Sequence, residues 1–175
     1  MTTPSSSAAP RLFTPLSLRK LTLPNRIVVA PMCQYSAHDG QAGDWHLAHL
    51  SQLAMSGAGM LVIEATAVEP AGRITAGCLG LWDDATEQAL DRVLKAVRAL
   101  APPLPLALQL GHAGRKGSSG RPWEGGQLVP PQRGGWQAVG PSATPHIESE
   151  AAPLALTESG LSALKTRFVQ ATRRA

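Results

Sequence analysis

Leu16-Ser17-Leu18 and Leu21-Thr22-Leu23 alternate apolar and polar around Arg19-Lys20. That period of two predicts a small hairpin covering one end of a core. The next apolar run, Ile27-Val28-Val29-Ala30, does not alternate, as expected of a parallel strand covered on both faces. Leu47, Leu50 and Leu53 then recur at helical spacing between Asp44, a suitable N-cap, and Gly57, a suitable stop. Met60 to Ala65 repeats the buried-strand pattern. Asp84 and Glu87, three residues apart, give a capping-box-like start to a second helix whose stripe is Leu90, Val93, Leu94 and Val97. Pro102 and Pro103 end it, Leu104 to Leu110 forms a third strand, and a third helix runs from Thr157 with Leu161, Leu164 and Phe168 on one face.

Strand-helix order three times over implies an α/β fold with a parallel sheet and right-handed crossovers. Two architectures satisfy it, an open doubly wound sheet and a (β/α)8 barrel. An open nucleotide-binding sheet usually carries a Gly-rich phosphate turn after its first strand, and here Pro31-Met32-Cys33 takes that place. The barrel is favoured. A complete one needs about 250 residues, so the chain is expected to hold the N-terminal portion of a TIM barrel, about three of eight βα units, preceded by the hairpin. Residues 1–10 are expected to be a disordered tail, and 11–175 the barrel portion. Gly111 to Leu156 has almost no periodic pattern, and connections that long are usually functional or disordered. In a barrel it would be the third βα-loop, on the face where active sites are built.

Composition narrows the classes of function. The chain has 175 residues, 43% of them apolar, which is enough for a sizeable core. Its net charge of +4 is spread out, without the aromatic interleaving of a nucleic-acid groove, so no nucleic-acid partner is expected. The opening MTTPSSSAAP has neither a cationic nor an apolar block, so no signal peptide or membrane span is expected there. Two cysteines, Cys33 and Cys78, are too few for a disulfide framework and fit a reducing cytoplasm.

Candidate chemistry falls at the carboxyl ends of the three strands. Cys33 and Tyr35 follow the first strand, Ala65 and Thr66 end the second, and Gln109, His112, Arg115 and Lys116 end or follow the third. All three clusters therefore lie on one face, the expected place for a small-molecule site. A lone cysteine there reads more readily as a small buried hydrophobe than as a reactive thiol. Gln109 reads as a buried amide that needs partners, either a planar heterocycle or a neighbouring strand's backbone. His46 and His49 lack supporting ligands for a metal and read as packing or capping residues. His112 could orient its own loop, Arg115 and Lys116 could hold an anion or be solvated, and Trp82 reads as a loop anchor.

Taken in order, LFTPLSL, LPNRIVVAPMCQYSA, GMLVIEATAVEPAGRIT, GLWDD and LALQLGHAGRK closely resemble the Old Yellow Enzyme family of flavin-dependent ene reductases. They match its cysteine-bearing, thermophilic-like class, which includes the xenobiotic reductases. The resemblance implies a barrel with noncovalent FMN across the carboxyl ends of the strands, reduced by NADPH or NADH, and activated alkenes such as enones as substrates. By the same resemblance Ala30, Pro31, Met32, Cys33, Ala65 and Gln109 contact the flavin. Cys33 tunes its potential, Tyr35 points a hydroxyl at the substrate carbonyl, and Lys116 is a further substrate contact. Ala30 stands where some relatives carry Ser.

Such relatives continue into a fourth strand with two substrate-binding histidines, then a proton-donor tyrosine and the phosphate-binding loops. The expectation is an ene reductase completed by a C-terminal half, with a homo-oligomeric whole. The alternatives are an inactive half-barrel that self-associates or complements another fragment, and an NADPH oxidase on the same scaffold.

Overall fold

The structure, a computed structural model, describes residues 10–175. Of the tail expected over residues 1–10, all but Pro10 lies outside the described residues. Strands β1 (Leu16–Leu18) and β2 (Leu21–Leu23) form the antiparallel hairpin, with Leu16 opposite Leu23 and Arg19 in the turn at φ 54°.

The central sheet is parallel. It holds β3 (Val28–Val29), β4 (Met60–Ala67), β5 (Leu79–Gly80) and β6 (Leu106–Gly111), with β4 in the middle. Val29 and Leu106 flank Leu61 on opposite sides, while Leu79 and Leu110 flank Thr66. One edge of β4 is thus shared: β3 pairs at its start and β5 at its end. The register against β6 slips between Ile63 and Thr66, where β4 carries one extra residue, a bulge of the kind found beside active sites. The sheet is not closed into a barrel, and among the described residues the outer edges of β3 and β6 are unpaired.

Helix α1 (Asp44–Ala54) joins β3 to β4 and α2 (Asp84–Leu100) joins β5 to β6. Leu61 and Ile63 pack beneath them with Leu50, Leu90, Val93 and Val97, and Leu106, Leu108 and Leu110 of β6 join this layer. Full burial of a side chain such as Leu61 or Ile63 contributes roughly 1.5–3 kcal/mol. Alternation therefore sends Ala107 and Gln109 to the other, inner face.

Two helix starts differ by one residue from the sequence expectation. Gly43, not Asp44, caps α1, and Asp44 lies in the first turn, where its charge suits the helix dipole. Asp83, not Asp84, caps α2, its Oδ1 accepting the Thr86 N–H at 2.8 Å, and Thr86 takes the place expected of Glu87 in the box. Asp84 and Glu87 instead bind Arg174 at the end of α3 (Glu158–Arg174). Leu164 and Phe168 of α3 are half-buried and Ala171 is buried, whereas Leu161 is exposed and drops out of the expected stripe. The third strand begins at Leu106, not Leu104.

The long loop between β6 and α3 is ordered by hydrogen bonds. It contains three 3-10 turns and a two-residue parallel pair, β7 (Val139–Gly140) with β8 (Leu154–Ala155). Ala113 N–H donates to the Gly72 carbonyl at 2.8 Å, Ser119 N–H to Ile74 at 2.8 Å, and Trp136 Nε1 to Ala71 at 3.0 Å, which fastens it to the loop after β4. Among the described residues no helix is long and apolar enough to cross a membrane.

Candidate functional site

The chain leaves β3 as Ala30-Pro31-Met32-Cys33, with Ala30 and Met32 exposed and Pro31 half-buried. Proline suits the departure because it has no N–H to leave unpaired. Between the end of β3 and the start of β5, the edge of β4 has no strand beside it. One hydrogen bond spans that gap, from the Gln34 N–H to Glu64 Oε2 at 3.0 Å, and the Cys33 thiol lies beside the Ala65 amide. Glu64 Oε1 faces His46 Nε2 at 3.5 Å, both side chains being almost fully buried. His46 Nδ1 accepts the Gly43 N–H at 3.1 Å, so the neutral ring carries its proton on Nε2, toward the carboxylate. His46 is therefore a helix-capping residue, as its sequence position suggested. Among the described residues no group of three or more His, Cys, Asp or Glu side chains is placed to hold a metal.

Cys78 comes from the loop after β4. Its sulfur accepts the Thr75 N–H at 3.4 Å and lies 3.8 Å from Thr75 Oγ1. Cys33 is its neighbour, and that contact together with those of Thr75 pulls the Cys78 thiol down, while the same contact and then burial push Cys33 up. The Tyr35 phenol lies near Cys33. Burial first, then the charges of Cys33, Cys78 and Glu64, hold it above the ordinary tyrosine value. A neutral hydroxyl is what a donor to a carbonyl requires.

Tyr35 has φ 52°, left-handed for a residue with a Cβ, so its surroundings must hold it there. Two neighbours do. A Cβ at Gly77 would collide with the Tyr35 carbonyl oxygen, so glycine permits the close approach. Arg121, from the long loop, donates from Nε to that same oxygen at 3.1 Å. Arg121 Nη1 also meets Glu124 Oε1 at 3.3 Å, and the Trp123 ring stands edge-on to the Tyr35 ring at 5.8 Å between centroids. A cleft of about 380 Å³ opens here, lined by Tyr35, Thr75, Lys116 and His146 among others; Lys116 itself is exposed.

Gln109 was expected to be a buried amide. It is exposed on the inner face of β6, beside a hollow of about 140 Å³ that it lines with Ala65, Cys78, Gly111 and His112. Open space replaces the neighbouring strand that would have buried it. His112 orients its loop, as expected. Its Nδ1 accepts the Gly114 N–H at 3.0 Å and its Nε2 meets Glu69 Oε1 at 3.0 Å, with Arg167 of α3 3.5 Å from the other carboxylate oxygen. Arg115 is exposed, reaching the Pro145 carbonyl at 3.4 Å. Trp82 anchors its loop: the Arg73 guanidinium lies over its ring at 5.6 Å and over Trp136 at 5.0 Å.

A larger cavity, about 740 Å³, lies at the other end of the strands among Pro15, Pro24, Pro102, Pro103 and Pro105. It is apolar, with Arg98 its sole charged lining residue, and offers no converging groups. Sequence reading missed the Cys33–Cys78 contact and the grip of Arg121 and Trp123 on Tyr35. Each joins residues distant along the chain, and no local pattern marks either.

Comparison with known proteins agrees with this architecture. The NADH:flavin oxidoreductase / NADH oxidase family model matches residues 11–175. An NADH:flavin oxidoreductase of Gibberella zeae is 41% identical over 97% of this chain and 42% of its own length. An NADPH dehydrogenase of Bacillus licheniformis is 36% identical over 94% of this chain and 44% of its own. Among solved structures, morphinone reductase superposes with a TM-score of 0.76 at 32% identity, over 98% of this chain and 46% of that one. The old yellow enzyme homologue from Zymomonas mobilis gives 0.74 at 26%, over 95% and 45%. This chain thus spans a little under half the length of the relatives it matches, and it belongs to the NADH:flavin oxidoreductase / NADH oxidase family, the Old Yellow Enzyme superfamily.

Proposed function

We propose that the complete protein to which this chain contributes is an FMN-dependent ene reductase that uses NADPH or NADH to reduce the C=C bond of α,β-unsaturated carbonyl compounds. The observation that carries this reading is the convergence of Cys33, Tyr35, Ala65 and Gln109 at the carboxyl ends of the parallel strands. The residues present suit the ring system of a flavin. Ala65 and Gly111 leave room for a flat group, and Gln109 offers a donor and an acceptor with no side-chain hydrogen bond among the described residues. Ala30, Pro31 and Met32 would lie along the ring and Cys33 against its reactive edge, where a polarizable sulfur tunes reduction. Bound there, FMN supplies hydride for the alkene.

The chain's own part is to bind and orient. Tyr35, neutral and partly buried, donates its hydroxyl proton as a hydrogen bond to the substrate carbonyl oxygen, which gains negative charge as the alkene is reduced. Lys116, on the rim of the same cleft, adds a positive charge. The remaining barrel, as a continuation or a second polypeptide, supplies the other substrate contacts and the phosphate site. We place the protein in the cytoplasm as a homo-oligomer.

A second reading has its own support. The unpaired edges of β3 and β6 are templates for association, so the chain alone would self-associate as an inactive half-barrel. NADPH oxidation with FMN and cyclohexenone, followed both anaerobically and in air, alongside native mass spectrometry, separates the readings. One saturated ketone formed per NADPH, with FMN bound, supports the reductase. NADPH consumption that needs oxygen and ignores the enone overturns it in favour of an oxidase, and flavin-free oligomers of this chain alone favour the half-barrel.

A further inference from the structure

We infer that the turn Arg121-Pro122-Trp123-Glu124 in the long loop is the positioning device for Tyr35, and so sets where a carbonyl substrate is held. The functional weight of this inference rests on the ene-reductase reading, because it is that reading that gives the Tyr35 hydroxyl a substrate.

Tyr35 is strained. A tyrosine at φ 52° is held in a region that costs of order 1–3 kcal/mol, and such residues persist only where neighbours over-determine them. Tyr35 belongs to no strand or helix, and the sheet's hold stops one residue short of it, at the bond from the Gln34 N–H to Glu64. The Arg121 Nε–H closes on its carbonyl oxygen across 86 residues of sequence, and a charge-assisted bond to a carbonyl is among the stronger kinds. Arg121 is itself fixed. Its Nη1 pairs with Glu124 Oε1, and Glu124 Oε2 accepts the Arg121 N–H at 3.2 Å, closing a ring inside the turn. The same turn presents Trp123, which is 68% exposed yet meets the Tyr35 ring edge-on. An exposed tryptophan has little reason to be ordered except this contact.

Backbone and ring of Tyr35 are therefore both held from one turn, and that turn borders the cleft containing Lys116 and His146. Changing the turn would move the hydroxyl without touching any group that contacts substrate. Arg121 and Trp123 are positioning residues, not catalytic ones.

Tyr35 is the sole tyrosine of the chain, so tyrosine-selective isotope labelling reports on it alone, with or without an unlabelled remainder of the barrel. In Arg121→Ala the ring signals should move toward free-tyrosine positions, and the phenol should ionise at lower pH than in the parent as the ring loses its burial. Arg121→Lys, which keeps one donor, should restore part of both. Trp123→Ala, at an exposed site, should remove the ring-current shift while circular dichroism stays unchanged. Unchanged Tyr35 signals and titration in a folded Arg121→Ala chain would overturn the inference. Should that variant not fold, an unshifted Tyr35 in Trp123→Ala does so instead. These readouts need neither FMN nor turnover, so they can fail while the ene-reductase reading stands. In the complete enzyme the matching effect is a loss of roughly 100-fold in kcat/KM for an enone, the usual result of a misplacement of about 1 Å.

Discussion

The two ends of the central sheet differ in a way that a search by cavity size would invert. At the amino ends lies the roomier cavity, about 740 Å³, walled by prolines and alkyl groups. At the carboxyl ends the hollows are smaller, about 140 and 380 Å³, but Cys33, Tyr35, Glu64, Cys78 and His112 converge there. A parallel α/β unit divides labour this way: strand starts serve stability, and strand ends serve chemistry because every loop after a strand arrives there. Volume locates space. Convergence of polar groups locates function.

Substitutions that separate the two ends sharpen the contrast. The largest effect is expected for Leu61→Ala, near the start of β4 and 1% exposed, at about 2–5 kcal/mol. Urea denaturation measures it, and a cost near zero would mean that the layer under α1 and α2 is not the core. Next comes Tyr35→Phe at the carboxyl end, which on the proposed ene-reductase reading should lower enone turnover by on the order of 100-fold in the complete protein with little change in stability. Arg98→Ala, in the amino-end cavity, should leave turnover as it was, and a comparable loss there would break the comparison. Gly77→Ala is smaller, about 1–3 kcal/mol. It should affect both properties at once, because the new Cβ displaces the Tyr35 carbonyl.

The smallest concerns the α2 cap. The Thr86 N–H, then the Thr86 hydroxyl, keep the Asp83 carboxyl below its usual value. A depressed folded-state value means stability that is present in full above the unfolded-state value and lost as pH falls through the folded one. Asp83→Ala should therefore cost about 1 kcal/mol at neutral pH, and this cost should shrink in acid. A pH-independent difference between the two denaturation curves would show that the carboxylate charge plays no part.

Much of this architecture was legible in the sequence, because runs such as Met60 to Ala65 and the stripe from Leu90 to Val97 state burial directly. Carboxyl-end placement of Cys33, Tyr35 and Gln109 follows from strand order alone. Helix starts slipped by one residue where two candidate caps stand side by side, as in Asp83-Asp84, since only geometry decides which oxygen reaches the N–H. Gln109 was misread as buried because an apolar strand implies two covered faces, and here one faces open space. The hold of Arg121 on Tyr35 was invisible, since a hydrogen bond across 86 residues leaves no periodic trace. Family motifs identified the parts without saying what keeps them in place.

The handover from β3 to β5 along β4 has one further consequence, for amide hydrogen exchange. Thr66 and Ala67 are paired with strands on both sides and should exchange slowly. The Ala65 amide, one residue earlier, sits where one edge of β4 has no strand beside it and the register against β6 slips, with the Cys33 thiol as its neighbour. It is a soft spot set into a rigid strand. Any oxidation or alkylation of Cys33 would thus be written into the exchange rate of a single amide in the middle of the sheet.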